Sequence, residues 1–438
     1  MPIKQAEAVG DSRKLNFWQI AVSLVSIHYG LGFLIGSGEA IYDKGAIGLL
    51  YAFSSALGLL SLVFIAPFYW EHIKPIWALM GEKYGKAIEK MVATLSSTWM
   101  LGIVASQILG GGSALAIFGV NKYVAMSIIT ILIATLSLFD LTRLSKVFLY
   151  MLLFSSLLLL VIFLSNGYYW FYTSVAEFAR EAGGISFLDF IGIVVTTVLI
   201  TFIGMDFHQF IVQAKTKRDA TTGAILGFTL LAVLSFILLA VVESSIKLGL
   251  TQNMQDSKQV IPLILLNFGK KHFYLLGIIT FLPIIFVSIG SGSGVTKVLN
   301  SSIISLNFLP KKMSQKWLSF GVSAVAFVIA LTGRSIIELI VSFYAIYIGG
   351  VFVPFLAYIA GLKFKNLQFT ASNIKISITT GVVFSLIVFL YTLRPQFEDT
   401  GHESAYLLLA GVLGSFVVLC LASIKNVLAS KKLPRRFV

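Results

Sequence analysis

Charge is scarce in this chain and cysteine nearly absent. Of 438 residues only 12% are Asp, Glu, Lys or Arg, while 57% are hydrophobic. That balance excludes a soluble globular domain and implies a polytopic membrane protein. A lone cysteine, Cys420, excludes an intrachain disulfide framework and, set in the last apolar run, reads as a packing residue. Long polar sequence is also missing. The stretches near 70–90, 165–185 and 243–271 are the largest between apolar runs, and each is too short for a domain of its own. Of five histidines, His28, His72, His208, His272 and His402, only His28 falls near the middle of a span, and no paired carboxylates accompany it. The convergent groups of an intramembrane enzyme are therefore lacking. So is a glycine-rich phosphate loop, which argues against ATP-driven transport by this chain.

What is present is apolar sequence in bilayer-length runs. They predict about twelve spans, near residues 15–42, 46–68, 91–119, 123–139, 145–165, 186–212, 220–246, 272–305, 316–333, 336–361, 374–393 and 404–426. The net charge of +14 is a topology signal: with the N-terminus inside, roughly two-thirds of the 33 Lys and Arg fall on inner segments. Both termini are expected in the cytoplasm and the protein in the cell membrane, with no nucleic-acid-binding face. The first span is too long, and too poor in cleavage-site residues, for a signal peptide and is expected to be retained. Residues 1–14 read as a cytoplasmic N-terminus and 427–438 as a cytoplasmic basic tail. The inner stretch IKPIWALMGEKYGKAIEK (73–90) suits a short amphipathic helix on the membrane face, and SKQVIPLILLNFGKKHF (257–273) a surface helix capping the outer side.

Irregular or polar backbone within a bilayer is tolerated only where it faces protein or water, so such places mark the working part. Four stand out. In SIHYGLGFLIGSG (26–38), glycines that each weaken a helix by about 1 kcal/mol sit beside His28. Gly30 and Gly32 read as a helix break; Gly36 and Gly38 suit close helix packing equally well. In the sixth span, Thr201 and Gly204 mark a second interruption, followed by Asp206 and His208, either at depth or at the wet inner interface. SQILGGGSA (106–114) offers Gln107 to a cavity and three glycines to close crossings. FVSIGSGSGVTKVLNSS (286–302) carries Ser288, Ser291 and Ser293 among glycines, a hydroxyl density suited either to an oxygen-ligated cation or to bonds with the helix's own carbonyls.

Interruptions in the first and sixth spans are five helices apart. This spacing predicts a 5+5 inverted repeat, 15–165 (first to fifth spans) and 186–361 (sixth to tenth), with two C-terminal helices at 374–426 and a solute held between the broken helices.

The same residues resemble the sodium:solute symporter family, which has the amino-acid-transporter-like inverted-repeat fold. FLIGSGEAIYDKGAIGLLYA (33–52) looks like its first core helix, ASQILGGGSALAIFG (105–119) is similar to its third-helix signature, and FHQFIVQAKTKRDATTGA (207–224) to its sixth-helix run and basic loop. LNSSIISLNF (299–308) and PFLAYIAGLK (354–363) also fit, so the likeness spans roughly 15 to 370. The family's usual extra helix before the core is missing here. The resemblance implies a sodium site built from backbone oxygens near Ser26 and Tyr29 with hydroxyls of the eighth span. It implies a solute pocket near His28, Tyr29, Phe33, Ser55, Gln107, Thr201 and Gly204, with Tyr344 or Tyr347. In either of two registers, Ser293 with Gly294 or Ser291 with Gly292, the eighth span supplies one hydroxyl where the family has two. Lys297 follows in the same helix, and Lys146 stands near a position where the family commonly has an acid. His28 offers a proton carrier instead, and Lys297 and Asp206 are further coupling candidates; Lys297 suits snorkelling equally well.

Together these readings predict a non-enzymatic secondary transporter, monomeric or homodimeric, with no cofactor beyond Na+ as coupling ion. It would import a small polar solute, neutral or zwitterionic, with Na+ or H+. A Na+-independent uniporter or exchanger, or a transporter-fold sensor, is the alternative, although the tail after Leu421 is too short for an output domain.

Overall fold

The computed structural model describes residues 15–139, 141–252, 254–305, 314–364, 368–392, 394 and 402–432, with the side chains at 141–149, 152, 305 and 425–432 outside that description. The expected terminal segment 1–14, residues 433–438 and the Lys146 side chain therefore lie outside the described residues.

Helix α1 (Phe17–His28) opens on a capping box: Asn16 Oδ1 accepts from the Gln19 N–H, and Gln19 Oε1 from the Asn16 N–H, both at 3.0 Å. It ends after 12 residues, well short of the ~20 needed to cross a bilayer. A π turn over Gly32–Gly36 leads into α2 (Ser37–Lys44), which stops where Gly45 takes φ 74°, a left-handed conformation open to glycine. Then come α3 (Leu50–Glu71), the expected inner-loop helix α4 (Ile76–Tyr84) and the 31-residue α5 (Lys86–Ala116). After them run α6 (Lys122–Leu136), α7 (Leu141–Ile162) and α8 (Phe171–Ala182). Helices α9 (Thr196–Ile203) and α10 (Met205–Val212) are two halves of a span bent by 45°. The chain continues through α11 (Lys217–Lys247), the expected outer-loop helix α12 (Val260–Lys270) and α13 (Tyr274–Ser305). It closes with α14 (Gln315–Ala330), α15 (Ile336–Lys363), α16 (Ala371–Thr392) and α17 (Glu403–Lys432). Cys420, expected in packing, is exposed on α17.

Eight of the described helical stretches are long and apolar enough to cross a membrane, nine when the bent span holding α9 and α10 counts as one. Helices α1, α6 and α14 are apolar but shorter. The chain is an all-helical, multi-pass membrane protein.

Burial sorts the helices into a core and a rim. In α15, 89% of the most apolar stretch is buried, against 28% in α16 and 33% in α17, which pack on each other outside it. Three consecutive glycines make α5 the second central post. A Cβ would meet Leu31 at 3.2 Å from Gly110, Ser288 Oγ at 2.2 Å from Gly111, and Met126 at 2.4 Å from Gly112. Successive helical residues turn by about 100°, so the segment after α1, helix α13 and helix α6 each approach a different side of α5. At one end of the bundle the two interrupted spans are tied together: Leu15 N–H donates to Gln213 O at 3.1 Å and Lys215 N–H to Leu15 O at 3.0 Å.

Candidate functional site

Two helix interruptions face each other, and they differ. At the first, Tyr29 (φ −76°, ψ 58°) is the middle of an inverse γ-turn closed by Gly30 N–H donating to His28 O at 2.8 Å. In a continuing helix that N–H would bond Ser26 O; the turn leaves the Ser26 carbonyl without its helical donor. Gly30 itself faces open space, with nothing within 4 Å of where a Cβ would be.

At the second, Gly204 is extended (φ −76°, ψ 127°), which frees the carbonyls of Thr201, Phe202 and Ile203 from their helical donors. Side chains take the last two. His208 Nε2 lies 3.0 Å from Phe202 O, and the Tyr347 hydroxyl donates to Ile203 O at 3.3 Å. Tyr69 stacks on His208 with ring centres 3.5 Å apart and donates to Phe202 O at 3.4 Å. At the second break, protein side chains thus cap the Phe202 and Ile203 carbonyls, whereas no side chain caps the Ser26 carbonyl at the first.

Between them lies a cavity of about 590 Å³. The first break supplies Ser26, His28, Tyr29, Gly30, Gly32 and Phe33; α3 supplies Tyr51; α5 supplies Trp99, Ile103 and Gln107. Asp206, Phe207 and Gln209 come from α10, Gly290, Ser291, Gly294 and Val298 from α13, and Ile340 and Tyr344 from α15. The His28 ring stacks on Phe207 at 4.6 Å and so joins the two breaks. His28 Nε2, Gln107 Oε1 and Asp206 Oδ1 are buried without a hydrogen-bond partner. The lining reaches exposed Gln209 and Val298, which puts the mouth at the end of the bundle where Leu15 meets Gln213.

Of the residues singled out from sequence, Ser26, His28, Tyr29, Phe33, Gln107, Asp206, Ser291 and Tyr344 line this cavity. The structure places the others elsewhere, for identifiable reasons. Ser55 and Thr201 bond carbonyls of their own helices, Tyr51 O and Thr197 O, both at 3.0 Å. Gly204 forms the break without lining the space, and Tyr347 caps it. Ser288 donates to Gln107 O at 2.7 Å and locks α13 to α5, while Ser293 donates to Gly290 O at 3.1 Å. Lys297 Nζ donates to Phe139 O at 2.9 Å, just past the end of α6, away from the cavity. Trp99 and Ile103, not singled out from sequence, precede Gln107 by eight and four residues on one helical face; that spacing could have found them.

The opposite end is closed by charge. Glu39 on α2 meets Lys258 at 2.8 Å, their side chains 4% and 9% exposed. The other Glu39 oxygen accepts from the Ile336 N–H at the start of α15, at 3.0 Å. Lys258 also lies 3.5 Å from Asp256, which pairs with Lys122 of α6 at 2.6 Å. Burial pushes the Asp256 carboxyl up, but the two lysines outweigh it and hold it below the usual carboxylate range. Burial likewise lowers Lys258, and Glu39 and Asp256 outweigh that, leaving it above the usual range for lysine. Among the described residues, no group of three or more His, Cys, Asp or Glu is placed to hold a metal ion.

No protein-family model matches this chain, and no curated protein matches its sequence. Solved structures do match its fold. A Na+-coupled sialic acid symporter in a substrate-bound outward-open state superposes with a TM-score of 0.65 at 14% identity, over 93% of this chain and 91% of its own. A variant of the Eremococcus coleocola manganese transporter gives 0.54 at 13% identity, over 93% and 94%. At such identities the likeness is one of fold. This chain therefore shares its membrane architecture with these transporters.

Proposed function

We propose that the chain is a secondary active transporter, a divergent relative of the sodium:solute symporters, that imports a small polar organic solute by alternating access driven by Na+ or H+. The observation that carries this reading is the cavity between two interrupted spans, lined by aromatic rings and a few polar groups, open at one end and sealed by a buried ion network at the other. A fixed pore needs no such seal. In this reading 15–165 and 186–361 are the two inverted repeats, and the end carrying Leu15 faces the cytoplasm. His28, Tyr29, Phe33, Gln107 and Tyr344 contact the solute. The freed Ser26 carbonyl and the Ser291 hydroxyl hold the coupling ion, with His28 and Asp206 as the proton-carrying alternative.

A second reading, Na+-independent uniport or exchange, draws on the eighth-span hydroxyls. Ser288 is spent on the α5 backbone, and Gly294 stands open where a second hydroxyl would complete an ion site. Uptake into proteoliposomes under an imposed sodium gradient and, separately, a proton gradient decides between them. Coupled transport predicts accumulation with one gradient, lost in Ser291→Ala if sodium drives it and in His28→Ala if protons do. Uptake by the unaltered protein that ignores both gradients would overturn coupling and leave the uniporter or exchanger.

A further inference from the structure

We infer that the solute taken into this cavity is a small organic cation, its ammonium group set against Asp206 and its apolar body against the surrounding rings. The inference rests on the transporter reading for the site's purpose, but its chemistry follows from the lining alone. Asp206 is the only Asp, Glu, Lys or Arg in that lining. It stands in the first turn of α10, where its own N–H and that of Phe207 reach the carboxyl. Its Oδ1 is buried with no hydrogen-bond partner, and no ion pair reaches it among the described residues. Two lysines of neighbouring elements are engaged elsewhere: Lys217 pairs with Glu71, and Lys297 bonds Phe139 O. The two backbone donors are neutral, so the carboxyl has no counter-charge among the described residues, and a cation on the cavity side supplies one.

The rest of the wall says which kind. Six aromatic side chains, Tyr29, Phe33, Tyr51, Trp99, Phe207 and Tyr344, line the same space. Their faces attract a substituted ammonium with about 0.5 to 2 kcal/mol apiece when water is excluded. A cavity of about 590 Å³ is within the range of organic-ligand sites and far larger than a bare metal ion fills. A carboxylate solute would meet Asp206 and no Arg or Lys. A sugar would find Ser26, Gln107, Asp206, Gln209 and Ser291, with His28 and three tyrosine hydroxyls, but would leave the Asp206 charge without a counter-ion. Asp206 on the cavity wall turns this reading from the neutral or zwitterionic solute expected from sequence toward a cation.

The test is equilibrium binding to the purified full chain in nanodiscs, with probes matched in shape and differing in charge. These are choline, its neutral carbon isostere dimethylbutanol, and the isosteric anion dimethylbutanoate, with butylammonium as a primary amine and sodium chloride alone as the inorganic arm. Expected is saturable binding of at least one of the two ammonium probes, at least about tenfold tighter than the neutral isostere, with no binding of the anion. In Asp206→Asn the preference for charge should collapse to within about threefold. Neutral and charged probes binding the unaltered chain equally, no saturable binding of either ammonium probe, or sodium alone displacing both ammonium probes as an ordinary competitor at Asp206 would each overturn the inference. The charge series on the unaltered chain decides even if Asp206→Asn does not fold. Uptake separates the two proposals. Asp206-dependent ammonium binding without uptake under any gradient sinks the transporter reading and leaves the cation site; gradient-driven uptake of the neutral isostere with no charge preference does the reverse.

Discussion

Lys258→Met isolates the closed end of the bundle. Methionine keeps most of the lysine stem and removes the charge, so Glu39, 4% exposed, loses its 2.8 Å partner and keeps only the Ile336 N–H. Leaving one member of a buried ion pair without the other costs about 3 to 5 kcal/mol. Part of that is relieved if Glu39 takes up a proton, so about 3 kcal/mol against the closed end is a working figure. At about 1.4 kcal/mol per factor of ten, the equilibrium between closed and opened forms shifts roughly 100-fold toward opening. The assay uses Cys420→Ser, which removes the lone native thiol, combined with Ile35→Cys. Ile35 is 1% exposed and does not line the cavity, so reagent reaches it only when the charged end parts. Modification by a membrane-impermeant methanethiosulfonate should accelerate by one to two orders of magnitude in Lys258→Met. Adding Glu39→Gln should restore slow labelling, because removing both partners of a buried pair costs far less than removing one. Unchanged labelling in Lys258→Met, or the same acceleration in the double variant, would refute the view that this pair holds the end shut.

Two glycines predict opposite outcomes from the same substitution. Gly111→Ala drives a Cβ to 2.2 Å from Ser288 Oγ, forcing α5 and α13 apart and breaking the Ser288 bond to Gln107 O. Overpacking of this kind costs about 1 to 3 kcal/mol, read as a lower Tm in detergent. Gly294→Ala meets nothing within 4 Å, so Tm should hold or rise while solute affinity changes as the cavity narrows; equal effects on Tm would contradict the packing. For Asp256, whose folded carboxyl titrates below its usual range, the sign is fixed. Its contribution is fully present above the unfolded value near pH ~3.9 and is lost as pH falls through the folded one. The Tm difference between the unaltered chain and Asp256→Asn should therefore stay constant from about pH 5 to 9 and shrink only in stronger acid. A difference that vanishes near neutral pH would mean that the lysines do not hold this carboxyl.

The all-helical membrane class, the short helices at the inner and outer loops and the places where two spans break were legible, because each rests on local composition: apolar length, glycine and a stray polar group. About twelve spans were expected, whereas eight or nine described stretches are long and apolar enough to cross. What sequence could not order was the fate of each polar group once neighbours arrived. Tyr347 and Thr201 looked equivalent to Tyr344 and Gln107 as cavity residues. Yet Tyr347 is 144 positions from the Ile203 carbonyl that it satisfies, and Thr201 turns back onto its own helix. A stranded carbonyl announces itself only through dihedral angles, and its donor only through the fold. The same holds for Glu39 and Lys258, 219 residues apart, each reading alone as an ordinary edge charge. Asp206 is the instructive middle case: the sequence left it between water and membrane depth. Capping of the Phe202 and Ile203 carbonyls by His208, Tyr69 and Tyr347 occupies two of the acceptors that the second break frees. The carboxylate is then the chief negative group that α10 presents to the cavity. A break left open at Ser26 and a break capped at Phe202 and Ile203 beside an unpaired acid are complementary halves of one cation-seeking surface, and the second half exists only because three distant side chains fold onto two carbonyls.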